Sequence, residues 1–246
     1  MAGTIFQDTH LPLTVWFRAI WQVTSQKTGA SALGVQRVLG LGSYKTAWTV
    51  LHKLRRAMVR PGRDRLAGRI EVDETYLGGP KEGADGRGTE NALVVVAAQM
   101  DGKRIGRIRM RRVPDASGPS LLGFIADSIE PGSLIHTDGG ESYTALPQKG
   151  YRHEVSKLRG KSGLAIELLP RVHLVVSLLK RWLLGTLHGR FSLEHLDYYL
   201  DEFTFRFNRR TSASRGKLFY RLLQQAVQVP PTPYRTIIAP PQAGGT

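Results

Sequence analysis

The sequence contains no cysteine, which excludes disulfide bonds and thiolate zinc sites within its 246 residues. Long apolar runs are missing as well, since no stretch of about 18 apolar residues is present, as a membrane-spanning helix requires. The N-terminus, Met-Ala-Gly-Thr-Ile-Phe-Gln-Asp, lacks the basic and then apolar pattern of a signal peptide. We therefore expect a soluble, intracellular protein that does not contact a membrane.

Acidic residues are scarce relative to basic ones. With 20 Asp and Glu against 35 Lys and Arg, the formal net charge is +15. A chain this basic is expected to bind a polyanion, most commonly nucleic acid, although ribosomal and membrane-surface proteins share the property. At this length the chain has room for one domain with a large core, or for a small domain joined to a larger one.

The N-terminal region has the pattern of a helix-turn-helix. Apolar residues at helical spacing follow Thr14, which is placed to cap a first helix. Residues 30–39 predict a second helix, and the turn Gly40-Leu-Gly42 separates it from a third helix over 43–58. The polar start of such a third helix contacts bases or phosphates, so the candidate DNA-binding residues are Ser43, Tyr44, Lys45 and Thr46. An ordinary helical hairpin with a solvated basic face is the alternative.

The order of predicted elements after residue 68 indicates a mixed α/β fold. Strands are predicted over 69–79, 92–100 and 104–113, and the Asp-Gly pair between the last two favours a hairpin. A helix, a short strand, a brief helix, another strand and a long helix follow. This is the order of a ribonuclease-H-like fold, a mixed sheet flanked by helices, in which the first and fourth strands are neighbours.

Composition shifts divide the chain into predicted domains. A helical DNA-binding domain is predicted over 1–60, and a linker rich in Pro, Gly and Arg over 61–68. The ribonuclease-H-like domain is assigned to 69–228, and the Pro-rich tail over 229–246 is predicted to be disordered from Pro230.

Asp73 is the most unusual residue of the first predicted strand. Period-2 alternation places Ile70, Val72 and Glu74 on one face of this strand, and Glu71, Asp73 and Thr75 on the other. A carboxylate within an apolar strand costs free energy unless it is paired, hydrogen-bonded or bound to a metal. Asp73 is therefore the first candidate functional residue.

Asp138 is the expected partner of Asp73. It follows a short predicted strand and precedes two glycines, which is where an open α/β sheet presents ligands. Two carboxylates brought together among many basic residues suit a hard divalent cation, Mg²⁺ or Mn²⁺. Two such ions about 4 Å apart activate a water or a 3′-hydroxyl and stabilise the leaving oxygen of a phosphodiester. Taken alone, Asp138-Gly139 is equally typical of a turn.

Five stretches, in this order, resemble the signature blocks of bacterial insertion-sequence transposases of the DDE superfamily. They are Glu-Val-Asp-Glu-Thr-Tyr-Leu-Gly-Gly (71–79), His-Thr-Asp-Gly-Gly (136–140), Gly-Tyr-Arg-His (150–153), Leu-Leu-Lys-Arg-Trp (178–182) and Tyr-Leu-Asp-Glu-Phe-Thr-Phe-Arg-Phe-Asn-Arg-Arg (199–210). The group in question carries a zinc ribbon, a helix-turn-helix and a ribonuclease-H-like catalytic domain. The resemblance implies cleavage at element ends and strand transfer by the freed 3′-hydroxyl, with Asp73 and Asp138 as the first two ligands of two Mg²⁺ or Mn²⁺ ions. It also implies a homodimer or higher oligomer on double-stranded DNA, in the bacterial cytoplasm at the nucleoid.

The third catalytic position departs from the usual pattern of this group. There, a Glu in a His-Thr-Asn-x-x-Glu stretch precedes a lysine by seven residues. Alignment on Leu-Leu-Lys-Arg places His173 at that position, seven residues before Lys180. The resemblance thus implies an Asp-Asp-His-Lys set, with His173 as a metal ligand or a proton shuttle, Lys180 on a phosphate and Arg181 as a further DNA contact. A lone histidine on a helix is also commonly structural.

The zinc ribbon of the group would precede Thr4, and Ala2-Gly-Thr-Ile-Phe-Gln-Asp resembles the segment that follows it. We therefore expect no zinc site in this chain, which would be either an N-terminally shortened product or the result of a start-site choice. Two other functions share the same residues. A metal-dependent nuclease of this fold would hydrolyse DNA without joining strands, and a catalytically impaired relative would act as a DNA-binding repressor.

Overall fold

The structure is a computed structural model that describes residues 1–60, 62–79, 90–156, 168–187 and 191–238. Its contacts form two compact units, one of residues 1–63 with 184–246 and one of residues 64–183. Among the described residues, no helix has the length and apolar content needed to cross a bilayer.

The described ranges contain eight α-helices, five strands and three short 3-10 segments. The helices are α1 (Leu13–Ser25), α2 (Ala32–Leu39), α3 (Tyr44–Ala57), α4 (Gly118–Ser128), α5 (Pro170–Leu187), α6 (Leu196–Phe207), α7 (Arg215–Ala226) and α8 (Tyr234–Ile238). The strands are β1 (Arg69–Gly79), β2 (Glu90–Asp101), β3 (Arg104–Val113), β4 (Leu134–Thr137) and β5 (Arg152–Val155). Short 3-10 segments occupy Glu141–Tyr143, Pro147–Lys149 and Leu193–His195.

The first unit is helical, and α2 and α3 flank the predicted turn. The Ser31 hydroxyl accepts a hydrogen bond from the Gly34 amide and caps α2, which ends at Gly40 in the left-handed region, with φ of 67°. Helix α1 begins before Thr14, with Pro12 in the capping position. The prediction that Thr14 caps this helix is therefore wrong.

The core of the first unit joins the N-terminal helices to α6 and α7. Ile20, Leu51 and Leu54 of the N-terminal helices share a buried cluster with Phe205 and Leu222. For this reason the compact units divide the chain differently from the predicted domains, and the functional assignment of residues 69–228 stays a prediction.

The disorder predicted from Pro230 is wrong for residues 230–238, since this segment buries Thr232 and Ile237. Residues 239–246 lie outside the described ranges.

The second unit contains a five-stranded mixed sheet in the order β3-β2-β1-β4-β5. Strand β1 pairs antiparallel with β2 and parallel with β4, and β4 pairs parallel with β5. The hairpin between β2 and β3 turns at Gly102, whose φ of 56° suits glycine. Strand β2 is interior and β3 lies at the edge, as the apolar run of the first and the Arg alternation of the second predict. The ribonuclease-H-like strand order is confirmed.

Helices pack on both faces of this sheet. Ile70 and Val72 of β1 share a buried cluster with Phe124 and Ile125 of α4. The opposite face of β1 carries Glu71, whose carboxylate bonds to the start of α5. The side-chain alternation of β1 therefore determines which residues face α4 and which face α5.

Candidate active site

Asp73 and Asp138 lie side by side because β1 and β4 are parallel neighbours. The paired residues are Arg69 with Leu134, Ile70 with Ile135 and Glu71 with His136. The same register continued for two residues sets Asp138, just past the end of β4, opposite Asp73. The predicted neighbourhood of the first and fourth strands is thus present, and it brings the two aspartates together.

The two carboxylates differ in their exposure to solvent. The Asp73 side chain is 17% exposed, whereas Asp138 lies on the surface. The pKa of Asp73 is raised to about 6, chiefly by burial and to a smaller extent by the nearby charge of Asp138, against a lowering backbone hydrogen bond. The pair therefore concentrates negative charge in a chain that is otherwise strongly basic.

The turn after β4 fixes the Asp138 carboxylate. Its Oδ1 accepts a hydrogen bond from the Gly140 amide at 3.0 Å, and the Thr137 hydroxyl accepts one from the Gly139 amide at 3.1 Å. Gly139 has a φ of 88°, in the left-handed region that glycine adopts without strain. The first glycine of the Asp-Gly-Gly sequence is thus required by the backbone.

Glu74 and Tyr143 form a buried link on the α4 side of β1. The Tyr143 hydroxyl donates to Glu74 Oε1, and the tyrosine is 1% exposed. Burial raises the pKa of Glu74, with the charges of Asp73 and Asp138 acting in the same direction and the tyrosine hydrogen bond opposing them. Burial and the Glu74 charge likewise raise the pKa of the Tyr143 hydroxyl, so it stays protonated and remains a donor. This link ties the segment after Asp138 to the strand that carries Asp73.

His173 reaches the same site from the first turn of α5. Its Nδ1 lies 3.7 Å from Asp73 Oδ2, which is too long for a hydrogen bond but within ion-pair range when the ring is protonated. The imidazole is 27% exposed and so remains open to solvent. The structure thus brings His173 next to Asp73, although 100 residues separate them in the sequence.

Lys180 and Arg181 are exposed residues of the same helix. Lys180 lies seven residues after His173 on nearly the same helix face, which corresponds to about 10 Å along the helix axis.

The predicted DNA-binding residues lie at the start of α3 in the first unit. Ser43 is the N-cap residue of α3 with an exposed side chain, and Tyr44 is 54% exposed. Lys45 is exposed, and its ammonium lies 4.1 Å from the centroid of the Tyr234 ring, while Thr46 is half-buried. The C-terminal segment therefore contacts one of the four predicted residues.

The donor set of the site fits a hard divalent cation. Within the described ranges, no group of three or more His, Asp or Glu side chains is arranged to hold a metal ion. The two oxygen donors of Asp73 and Asp138 nevertheless suit Mg²⁺ or Mn²⁺, and a cation would supply the positive charge that this pair lacks. The completion of the ligand set by His173 stays a prediction.

Sequence reasoning assigned no role to Glu71, Glu74 or Tyr143, which support the site in the structure. The alternation of β1 places Glu71 on the same face as Asp73. This alternation is the sequence signal that could have indicated a role for Glu71 at the site. No local pattern indicates that Tyr143 bonds to Glu74, because the two are 69 residues apart and meet only through the β1–β4 pairing.

The sheet order, with β1 parallel to its neighbour β4, is that of a ribonuclease-H-like protein. Residues 65–208, more than half of the chain, match the family model described as the ISXO2-like transposase domain. The chain belongs to this family of insertion-sequence transposases.

Two further comparisons were made. A chain of the cryo-EM structure of the simian T-cell lymphotropic virus intasome in complex with PP2A regulatory subunit B56 gamma is similar at 16% identity, with a TM-score of 0.39. That similarity covers 92% of this chain and 80% of the other. No match was found among curated proteins. The class therefore rests on the family match and the sheet topology.

Proposed function

We propose that this protein is a DNA transposase that cleaves the ends of an insertion sequence and joins the freed 3′-hydroxyl to target DNA. In the first step, water breaks a phosphodiester at the element end and leaves a 3′-hydroxyl and a 5′-phosphate. In the second, that hydroxyl attacks a target phosphodiester, and a 3′-hydroxyl of the target strand leaves. The observation that carries the proposal is the parallel pairing of β1 with β4, whose register, continued for two residues, sets Asp138 opposite Asp73, within a chain of a transposase family.

In this proposal, Asp73 and Asp138 hold two Mg²⁺ or Mn²⁺ ions, with His173 as the third ligand. When bound, such ions lower the pKa of an attacking hydroxyl and neutralise charge on the leaving oxygen. His173 has a second candidate role as a proton shuttle, since its imidazole lies at the site and remains open to solvent. Lys180 binds a neighbouring phosphate and so holds the DNA strand along α5.

DNA outside the reacting strand is held by the start of α3, through Ser43, Tyr44, Lys45 and Thr46, and by Arg181. The formal charge of +15 supports a large electrostatic share in this binding. Two element ends are joined in one reaction, so we expect a homodimer or higher oligomer on DNA. Binding to chromosomal DNA would place the protein at the nucleoid in the bacterial cytoplasm.

The test is a strand-transfer assay with duplexes that carry the terminal sequences flanking the gene, in Mg²⁺ or Mn²⁺. We expect joined products from the wild type and at least a 100-fold loss for Asp73→Asn and for Asp138→Asn. Asp127→Asn is the matched control, because this exposed carboxylate pairs with Arg111 on the surface.

The products separate the competing functions. Hydrolysed ends without joined strands would identify a nuclease. DNA binding without metal-dependent cleavage, unchanged by Asp73→Asn, would identify a repressor and refute the proposed chemistry.

A further inference from the structure

Glu71 is a buried carboxylate two residues before Asp73 on the same face of β1. Its side chain is 1% exposed, and within the described residues its hydrogen bonds and its ion pair go to the start of α5. Oε2 accepts hydrogen bonds from the Arg171 amide at 2.7 Å and from the Val172 amide at 2.9 Å. Oε1 accepts one from Arg171 Nη1 at 3.1 Å.

These bonds make Glu71 the N-terminal cap of a helix 100 residues further along the chain. The first turn of any helix has amides without intrahelical partners, and the helix dipole favours a negative charge there. Usually a residue just before the helix supplies this group. Here a strand residue supplies it, so the cap fixes where α5 begins relative to β1.

The residue after Val172 is His173, and its imidazole lies 3.7 Å from the Asp73 carboxylate. We propose that Glu71 is a positioning residue of the candidate active site, which locks the first turn of α5 and thereby holds His173 beside Asp73. Both oxygens of Glu71 accept hydrogen bonds from nitrogen donors at the start of α5, and we therefore assign it a positioning role rather than that of a metal ligand. The catalytic meaning of this role rests on the proposed function.

The proposal is tested by amide hydrogen exchange in Glu71→Gln. The glutamine keeps the side-chain length and one acceptor oxygen, but it loses the charge and presents an NH₂ group to a donor of Arg171. We expect the amides of Arg171, Val172 and His173 to exchange at least about tenfold faster, while the amides of the β1–β2 pairing remain as protected as in the wild type. Glu71→Asp, which keeps the charge on a shorter side chain, should give an intermediate increase and serves if the glutamine variant does not fold.

The matched control is Glu154→Gln. Glu154 belongs to the same sheet, and its carboxylate also pairs with an arginine, Arg69, at 2.7 Å, but the pair is about 40% exposed. We expect this variant to leave exchange at the start of α5 unchanged.

Cleavage provides the second readout. Glu71→Gln should lower the rate of metal-dependent cleavage at least tenfold and leave the Kd for DNA unchanged, since the variant loosens the first turn of α5, which carries His173, and neither the start of α3 nor the later turns of α5 that carry Lys180 and Arg181. Unchanged exchange at residues 171–173, or unchanged cleavage in an active protein, would overturn the proposal. A wild type without any cleavage refutes the proposed function instead, and the exchange result then decides the role of Glu71.

Discussion

At the residue scale, the candidate site is centred on Asp73 of β1, and the neighbouring glutamates of this strand form contacts on opposite faces of the sheet. Asp73 faces Asp138 across the parallel pairing with β4, and His173 approaches it from α5. Glu71 anchors that helix, while Glu74 anchors the segment after Asp138 through Tyr143. The sequence Glu-Val-Asp-Glu therefore combines a candidate catalytic residue with the two contacts that fix its surroundings.

The hydroxyl of Tyr143 should contribute more to stability than that of another buried tyrosine. Tyr143→Phe removes the donor to a partly buried carboxylate, and hydrogen bonds to charged groups contribute about 1.5–3 kcal/mol. Tyr151→Phe is the matched control, because its hydroxyl donates to the neutral Ile129 carbonyl at 3.2 Å, a bond of about 1 kcal/mol. Urea denaturation of both variants measures the difference, and equal losses would contradict this interpretation of the Glu74 link.

His52 should make the first unit sensitive to acid. Its side chain is 0% exposed, and burial, assisted by the charges of Arg55 and His195, lowers its pKa from 6.5 to about 2. The folded protein therefore binds fewer protons than the unfolded chain between these values, so stability is present above pH 6.5 and is lost as the pH falls. From pH 6.5 to pH 5 this loss of stability is about 1.7 kcal/mol, since one proton is worth about 1.4 kcal/mol per pH unit and the unfolded histidine is already half protonated at pH 6.5.

The measurement is the free energy of unfolding at pH 6.5 and pH 5 for the wild type and His52→Gln. The free energy of unfolding of His52→Gln should decrease less between pH 6.5 and pH 5 than that of the wild type. His10→Gln, on the exposed surface, should show the same decrease as the wild type. The same acid dependence in the wild type and His52→Gln would show that His52 is not the responsible group.

At the element scale, α3 and α6 are joined by a buried ion-pair network. Glu202 is 0% exposed and accepts from Arg55 at 2.7 Å and from Arg206 at 2.8 Å. Burial alone would raise the pKa of Glu202, but the charges of Arg206 and Arg55 outweigh it and lower the value. The carboxylate thus stays ionised within the core of the first unit.

Removal of the Glu202 charge should destabilise this unit strongly. Glu202→Gln leaves buried guanidinium groups without a counter-charge, and breaking such a pair costs about 3–5 kcal/mol. The exposed pair of Arg69 and Glu154 is the control, because Glu154→Gln should cost less than about 1 kcal/mol. Tryptophan fluorescence in urea follows the first unit, which contains Trp16, Trp21 and Trp48. A cost for Glu202→Gln as small as the control would contradict the structural importance of the network.

The sequence predicted those elements whose patterns are local. The alternation of β1 and the Asp-Gly turn before β3 gave the strands and the hairpin, and the sheet order followed from the succession of elements. Contacts between distant segments left no such pattern, so the cap that Glu71 provides to α5 was missed. Thr14 was predicted wrongly because the helix begins at Leu13 and Pro12 takes the capping position. The segment after Pro230 was predicted wrongly because tertiary packing overrode its local preference, as the burial of Ile237 illustrates.

At the scale of the whole molecule, a charge of +15 should make DNA affinity strongly dependent on salt. Each phosphate contact releases counterions, so the logarithm of the association constant should fall linearly with the logarithm of the salt concentration. If Lys45 contacts a phosphate, Lys45→Ala should reduce the slope by about one. Fluorescence anisotropy at several salt concentrations measures the slope. Asp73→Asn is the control and should leave the slope unchanged. An unchanged slope for Lys45→Ala would show that Lys45 does not contact a DNA phosphate.

The most direct test of the central claim is Mn²⁺ binding to the free protein, measured by electron paramagnetic resonance. If Asp73 and Asp138 share a divalent-cation site, the wild type should bind Mn²⁺, and Asp73→Asn and Asp138→Asn should each bind it at least tenfold more weakly. Asp127→Asn should bind as the wild type does. Equal binding by all four proteins would contradict the assignment of the metal site to the two aspartates.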